Sequence, residues 1–83
     1  MYYVYVIKSI IDGSRYVGLS NNLYRRLDEH NRGKTYYTKR KKPWILIHVE
    51  LVENRSEARN LERFLKSGYG REIVNEIESN LTI

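Results

Sequence analysis

Apolar positions dominate the first ten residues with hardly a break. Tyr2 to Ile10 is rich in Tyr, Val and Ile, the composition of a strand, and it is too apolar on both parities to be a one-sided surface strand. Asp12-Gly13 follows, a strong short hairpin signal. The pattern therefore predicts that this strand folds back antiparallel onto Ser14–Leu19. A two-residue loop would set Ser9 opposite Tyr16 and Ile7 opposite Gly18. Tyr3, Tyr5 and Tyr16 would then share one sheet face, with Tyr5 and Tyr16 roughly 13 Å apart along the strand. Gly18 marks a point where a backbone or ligand can approach closely.

Helical spacing takes over after Ser20-Asn21, both good N-cap residues. From about Asn22 the chain reads as a helix with Leu23 and Leu27 on its buried face, ending near Asn31-Arg32-Gly33 with Gly33 as the left-handed terminal residue. Asn22, Arg26 and His30 recur at i, i+4 and i+8. They form a polar ridge roughly 100° round the helix from the leucines, at the margin of the buried face. An arginine held there beside a tyrosine-bearing strand suits a phosphate oxyanion; a solvated basic face with an incidental histidine explains the same spacing.

Lys34 to Lys42 has no periodicity and reads as a loop. It carries Tyr36, Tyr37 and the run Lys39, Arg40, Lys41, Lys42 before Pro43. Such a loop either neutralises phosphates and offers rings for stacking or is a solvated connector with a tyrosine folded back on the core. Trp44 to Val52 is a third strand, apolar enough to be central, and His48 within it receives no role. Asn54 to Glu57 has the form of a capping box, opening a helix to about Lys66 with Ala58, Leu61 and Leu65 as its buried stripe. Glu62 flanks that stripe, as an ion-pair partner or a divalent-metal ligand. Gly68-Tyr69-Gly70 breaks the chain. Ile73, Ile77 and Leu81 then predict a short amphipathic helix over Arg71–Asn80.

Composition narrows the classes. Eighty-three residues predict one domain, 1–83, with a modest core. There are no cysteines and two histidines, so neither a disulfide framework nor a zinc site is expected. No apolar run approaches the roughly 20 residues that cross a bilayer, and the start lacks a signal-peptide core, so the expectation is a cytoplasmic chain without a membrane partner. The net charge of +5 is uneven. Residues 15–42 hold nine basic side chains against two acidic ones, while residues 50–83 hold five against seven. That asymmetry points to a polyanion meeting one face.

These residues in this order resemble the GIY-YIG nuclease domain, in particular its small stand-alone bacterial members. The resemblance rests on Tyr3-Val4-Tyr5, Tyr16-Val17-Gly18, Asn22-Leu23 with Arg26 and His30, Thr38 with Pro43-Trp44, and Ser56-Glu57-Ala58 leading to Glu62 and Lys66. It spans residues 2–67. It implies an α+β fold, a three-stranded antiparallel sheet flanked by helices. It also implies site roles. Arg26 would hold the scissile phosphate, and Glu62 would anchor one Mg²⁺ or Mn²⁺ ion. Tyr5 and Tyr16 would line the pocket, one of them taking a proton from the attacking water. His30 would bind phosphate or polarise that tyrosine or water. A phenol with its pKa near 10 must then be tuned by the neighbouring cation or metal. Tyr3 stands where the first motif has glycine.

The reading that follows is a metal-dependent endonuclease acting on DNA in repair, recombination or processing. It would be structure-selective or of low sequence specificity, because a single small domain has few base-edge contacts to offer. Asn22, Arg25, Arg32, Lys34, Tyr36, Tyr37, Lys39, Arg40, Lys41 and Lys42 would contact the nucleic acid. The alternatives are a non-catalytic nucleic-acid-binding module using the basic 32–42 loop, and a protein-interaction domain in which the polar ridge forms ion pairs. Sequence leaves open DNA or RNA, which tyrosine is the base, and whether the chain is a monomer or a weak homodimer.

Overall fold

A computed structural model describes residues 1–81. Three strands, β1 (Tyr2–Ser9), β2 (Arg15–Ser20) and β3 (Trp44–Val52), form one antiparallel sheet. Its order is β2-β1-β3. Three helices flank it, α1 (Leu23–Asn31), α2 (Arg55–Lys66) and α3 (Gly68–Ser79). This is the expected α+β architecture, with one correction. β1, not β3, is the central strand. Val4, Tyr5, Val6 and Ile7 are each fully buried, as a strand covered on both faces requires. β3 lies at an edge, and its apolar Leu46, Val49 and Leu51 are 38–50% exposed.

Side-chain alternation along β1 separates two clusters. Val4 and Val6 join Ile47, Ala58, Leu65 and Val74 beneath α2 and α3. Tyr5 and Ile7 join Leu23 and Trp44 on the α1 side, with Tyr3, Tyr16 and Leu27 packed against them. A bulge between Val6 and Ile7 in the β1–β3 pairing, where His48 and Leu46 are the partners, leaves Ile47 as the extra residue; it is buried in the first cluster.

The hairpin register differs from the two-residue-loop expectation. Tyr5 pairs with Gly18 and Ile7 with Tyr16. Ser9 N–H bonds the Ser14 carbonyl at 2.8 Å, so Ile10 to Gly13 form a four-residue turn. Gly13 supplies its left-handed residue at φ 76°. A shift of two residues preserves parity, so the three tyrosines keep a common face.

The helix ends follow their caps. Asn22 accepts from Arg25 N–H at 3.1 Å and Asn54 from Glu57 N–H at 2.9 Å, each holding a first-turn donor. Gly33 takes φ 77° past α1. Gly68-Tyr69-Gly70 is not a break but the first turn of α3, because Ser67 ends α2 and also caps α3 through Gly70 N–H at 3.2 Å. Starting early, α3 buries Gly70 and Val74. The expected Ile73–Ile77–Leu81 stripe is therefore displaced, and Ile73 is 42% exposed.

Candidate functional site

Tyr5 stands at the middle of the central strand, its ring crossing the backbone of Gly18. A methyl group on Gly18 would lie 2.5 Å from the Tyr5 hydroxyl oxygen and 3.0 Å from a Tyr16 ring carbon. The bare glycine is what lets the phenol lie flat against β2. With Tyr5 opposite Gly18, Tyr16 is its diagonal neighbour, and their ring centroids are 6.5 Å apart. The roughly 13 Å separation expected from a tight turn is halved, because the two extra turn residues bring Tyr16 two positions closer to Tyr5.

Helical spacing places His30, in the last turn of α1, at the margin of the buried face. In the fold it is fully buried. Its Nε2 lies 2.9 Å from the Tyr5 hydroxyl and its Nδ1 2.7 Å from Thr38 Oγ1. The Tyr16 ring meets its edge at a centroid distance of 5.1 Å. The segment between α1 and β3 crosses over the ring. Thr38 is buried and its carbonyl accepts Trp44 Nε1–H at 2.9 Å. Asn31 grips Trp44 at both backbone groups, accepting its N–H at 2.6 Å and donating to its carbonyl at 3.2 Å. Both ring nitrogens of His30 are thereby engaged, one by Tyr5 and one by Thr38. Asn31 and the Thr38 hydroxyl escape sequence reasoning as fastenings of the site, since a polar residue at a helix end or in a loop carries no spacing signal.

Arg26, one turn before His30, is one-third exposed and bonds Glu29 Oε1 at 3.0 Å. Its guanidinium also acts on the Tyr5 hydroxyl. Glu62 on α2 is 16% exposed, with Lys66 Nζ at 3.2 Å and Arg59 Nε at 3.7 Å. A cleft of about 600 Å³ beside β2 is lined by Val6, Arg15, Tyr16, Leu65, Lys66 and Val74 among others, and Tyr5, Arg26, His30 and Glu62 are not among its lining residues.

Both charges bear on Tyr5 with opposite sign. Burial pushes the phenol up to about 12; the nearby Arg26 guanidinium pulls it down, while the Tyr16 and Glu62 charges push it up. The sequence expectation of a phenol tuned downward is thereby reversed in the protein alone, because desolvation exceeds the pull of a partly exposed guanidinium. Burial, and then the Arg26 charge, lower His30 to about 4. At neutral pH the pair is a phenol and a neutral imidazole.

The lowered His30 value makes an acid-side prediction. Unfolded histidine titrates near 6.5, so its contribution to stability is fully present above that pH and is lost as pH falls towards 4. The loss amounts to about 3 kcal/mol. Urea unfolding at pH 7 and pH 4.5 should show it, and the acid-dependent loss should shrink in His30→Gln. Parallel profiles for the two proteins would remove this assignment.

The surface residues divide differently. Lys34, Tyr36, Tyr37, Lys39, Arg40, Lys41 and Lys42 are all exposed. Tyr36 and Tyr37 stand 76% and 79% exposed, so neither folds back on the core, and Lys39 Nζ lies 5.2 Å over the Tyr36 ring. Lys41 pairs with Asp12 at 3.4 Å, Arg25 with Glu29 at 3.9 Å and Arg32 with Asp28 at 3.0 Å. The Asn22 side chain is used by its own helix. His48 pairs with Glu50 at 3.0 Å. Tyr3, in the glycine position of the first motif, is half-buried against the Tyr5 cluster. Among the described residues no group of three or more His, Cys, Asp or Glu side chains is placed to hold a metal, and no helix is long and apolar enough to cross a membrane.

The profile of one family, described as the GIY-YIG catalytic domain, matches residues 1–76. A UPF0213 protein of Staphylococcus haemolyticus is 35% identical over 78 residues, 93% of this chain and 94% of that one. A UPF0213 protein of Clostridium perfringens is 40% identical over 67 residues, 80% of this chain and 71% of its own. Among solved structures, the solution NMR structure of a UPF0213 protein from Bacillus halodurans superposes with a TM-score of 0.57 at 28% identity. It covers 96% of this chain and 88% of that one.

Proposed function

We propose that this chain, which belongs to the GIY-YIG catalytic-domain family, is a divalent-metal-dependent endonuclease that hydrolyses phosphodiester bonds in DNA with little sequence selectivity. Nucleic-acid cleavage is what the family implies; the DNA preference, the metal and a place in repair, recombination or processing are the proposal. The observation that carries it is the buried contact of Tyr5 Oη with the His30 ring at 2.9 Å, with the Arg26 cation near enough to pull the phenol down.

In hydrolysis a water oxygen bonds to phosphorus as the bond to the leaving alkoxide breaks. Arg26 neutralises the charge that grows on the phosphoryl oxygens. Tyr5 orients the water. Its oxygen accepts the water proton as its own proton passes to neutral His30 Nε2, so a free phenolate never forms. Thr38 holds the other ring nitrogen and keeps Nε2 aimed at the phenol. Tyr16 packs against both rings and confines the water.

Glu62 fits a hard divalent ion. It is a single, partly exposed carboxylate whose present partners are surface cations, and Mg²⁺ is commonly held by one or two carboxylates, with water and substrate oxygens completing its shell. Such an ion supplies charge neutralisation at the phosphoryl and leaving oxygens. The exposed cations and tyrosines of residues 32–42 hold the flanking backbone.

Supercoiled plasmid, flap and branched DNA incubated with Mg²⁺ or Mn²⁺ test the proposal. Cleavage is expected for the native chain and is lost in Glu62→Gln. Intact DNA across all three substrates at large enzyme excess would sink the hydrolytic reading. The ion pairs that already occupy Glu62 favour a second reading, a binding module without catalysis. That reading requires salt-sensitive binding without cleavage.

A further inference from the structure

Four cations crowd one flank of α2. On a helix advancing about 100° per residue, Arg55, Lys66, Arg59 and Arg63 fall within about 80° of one another, with Glu62 at the edge of that sector nearest the core. Arg55, Arg59 and Arg63 are successive i, i+4 neighbours and all are exposed. Like charges at that spacing repel and weaken a helix. Among the described residues only Arg59 of the three has an ion-pair partner, Glu62 at 3.7 Å. The three arginines line a shallow depression of about 370 Å³ with Ser56 and Asn60. The helix thus bears an internal repulsion that Glu62 offsets only in part, around a concave patch floored with hydrogen-bonding side chains.

We infer that this arginine ridge is a binding surface for the phosphate backbone of a nucleic-acid strand, and that it guides the strand past Glu62. The inference rests on the nuclease reading for its direction, but the ridge itself stands on α2 alone. Arginine's planar fork suits phosphate oxygens. Arg55 to Arg63 spans about 12 Å of helix, too long for one phosphate group and suited to successive ones. The ridge adds a second contact surface to the 32–42 loop, on the other side of the sheet from α1. The acid-leaning balance of residues 50–83 conceals it, because most of the acidic residues lie on other faces.

The test is the double charge reversal Arg55→Glu with Arg63→Glu in the full chain. Both new carboxylates fall at i, i+4 from Arg59, so the helix gains attraction where it had repulsion. The melting temperature should therefore hold or rise. Binding is read by fluorescence anisotropy with a labelled 12-nucleotide single strand and a 12-base-pair duplex, from 20 to 200 mM salt, with polyglutamate as competitor. The variant should bind the strand at least tenfold more weakly at 50 mM salt. Its log–log salt dependence should be shallower by about two, one for each arginine–phosphate pairing removed. Unchanged affinity and slope in a folded variant overturn the ridge while leaving the nuclease reading intact if the native chain still cleaves plasmid. Displacement by polyglutamate as effective as by unlabelled strand also overturns it, in favour of an acidic protein partner. No binding by the native chain at 20 mM salt removes ridge and nuclease reading together.

Discussion

Arg26→Ala is expected to lower the rate of DNA cleavage by two to three orders of magnitude while leaving the fold in place. Removing one preorganised donor from a developing oxyanion costs about 10²–10³ in rate, and Arg26 is the cation that acts on the Tyr5 hydroxyl. The stability cost should be small. The side chain is one-third exposed, and its ion pair is an i, i+3 contact with Glu29, worth about 0.2–0.5 kcal/mol. Arg26→Lys should recover little, because an ammonium lacks the fork that meets two phosphoryl oxygens at once. The substitution has a second readout that needs no substrate. Arg26 pulls the Tyr5 pKa down, so ultraviolet titration of Arg26→Ala should place that phenol higher than in the native chain. Cleavage within a factor of ten of native would remove Arg26 from the chemistry. An unmoved titration would remove it from contact with Tyr5.

Gly70→Ala is expected to be the most damaging small substitution in the chain. A methyl group there would overlap the carbonyl oxygen of Phe64 and lie 2.5 Å from the Leu65 Cα. Both are backbone atoms, so no rotamer change relieves the clash and the end of α2 must move. Overpacking of this kind costs about 3 kcal/mol or more. For a domain of this size that is a fall on the order of 15 °C in Tm. Gly68→Ala is the matched control. Nothing lies within 4 Å of its added methyl group, so it should be neutral or slightly stabilising, by about 0.4–1 kcal/mol. Thermal melts of the two variants decide the matter, and equal melting points would show that the α2–α3 corner is not packed as described.

Much of the fold is legible in the sequence because its signals are local. Asn54 acts as the cap its box predicts, Gly33 ends α1, and the Ala58–Leu61–Leu65 stripe faces the sheet, since each depends on residues within one or two turns; the cap of α1 is Asn22 and not the expected Ser20-Asn21. The failures depend on distance. Turn length fixes which residues of β1 and β2 are opposed, and Asp12-Gly13 is equally at home at the end of a four-residue turn as within a two-residue one. Helical spacing puts His30 beside Arg26 but says nothing of the segment that folds over it; Thr38 and Trp44 bury the ring. The same burial reverses the expected tuning of Tyr5. Apolar content makes β3 look central, whereas sheet order follows from β1 pairing on both sides. Ser67 is invisible as a double cap because Gly68 and Gly70 resemble a helix stop until the close approach to Phe64 supplies the reason for a glycine.

The irregularity in β3 also bears on how copies of this protein coexist at high concentration. An edge strand of nine residues with exposed leucine and valine side chains is a ready template for aggregation, since a second chain can add to its unpaired rim. Here the rim is interrupted twice. The extra residue at Ile47 bends it, and the polar His48 and Glu50 punctuate the apolar run. The kink that carries Ile47 inward thus doubles as a guard against fibril-like stacking.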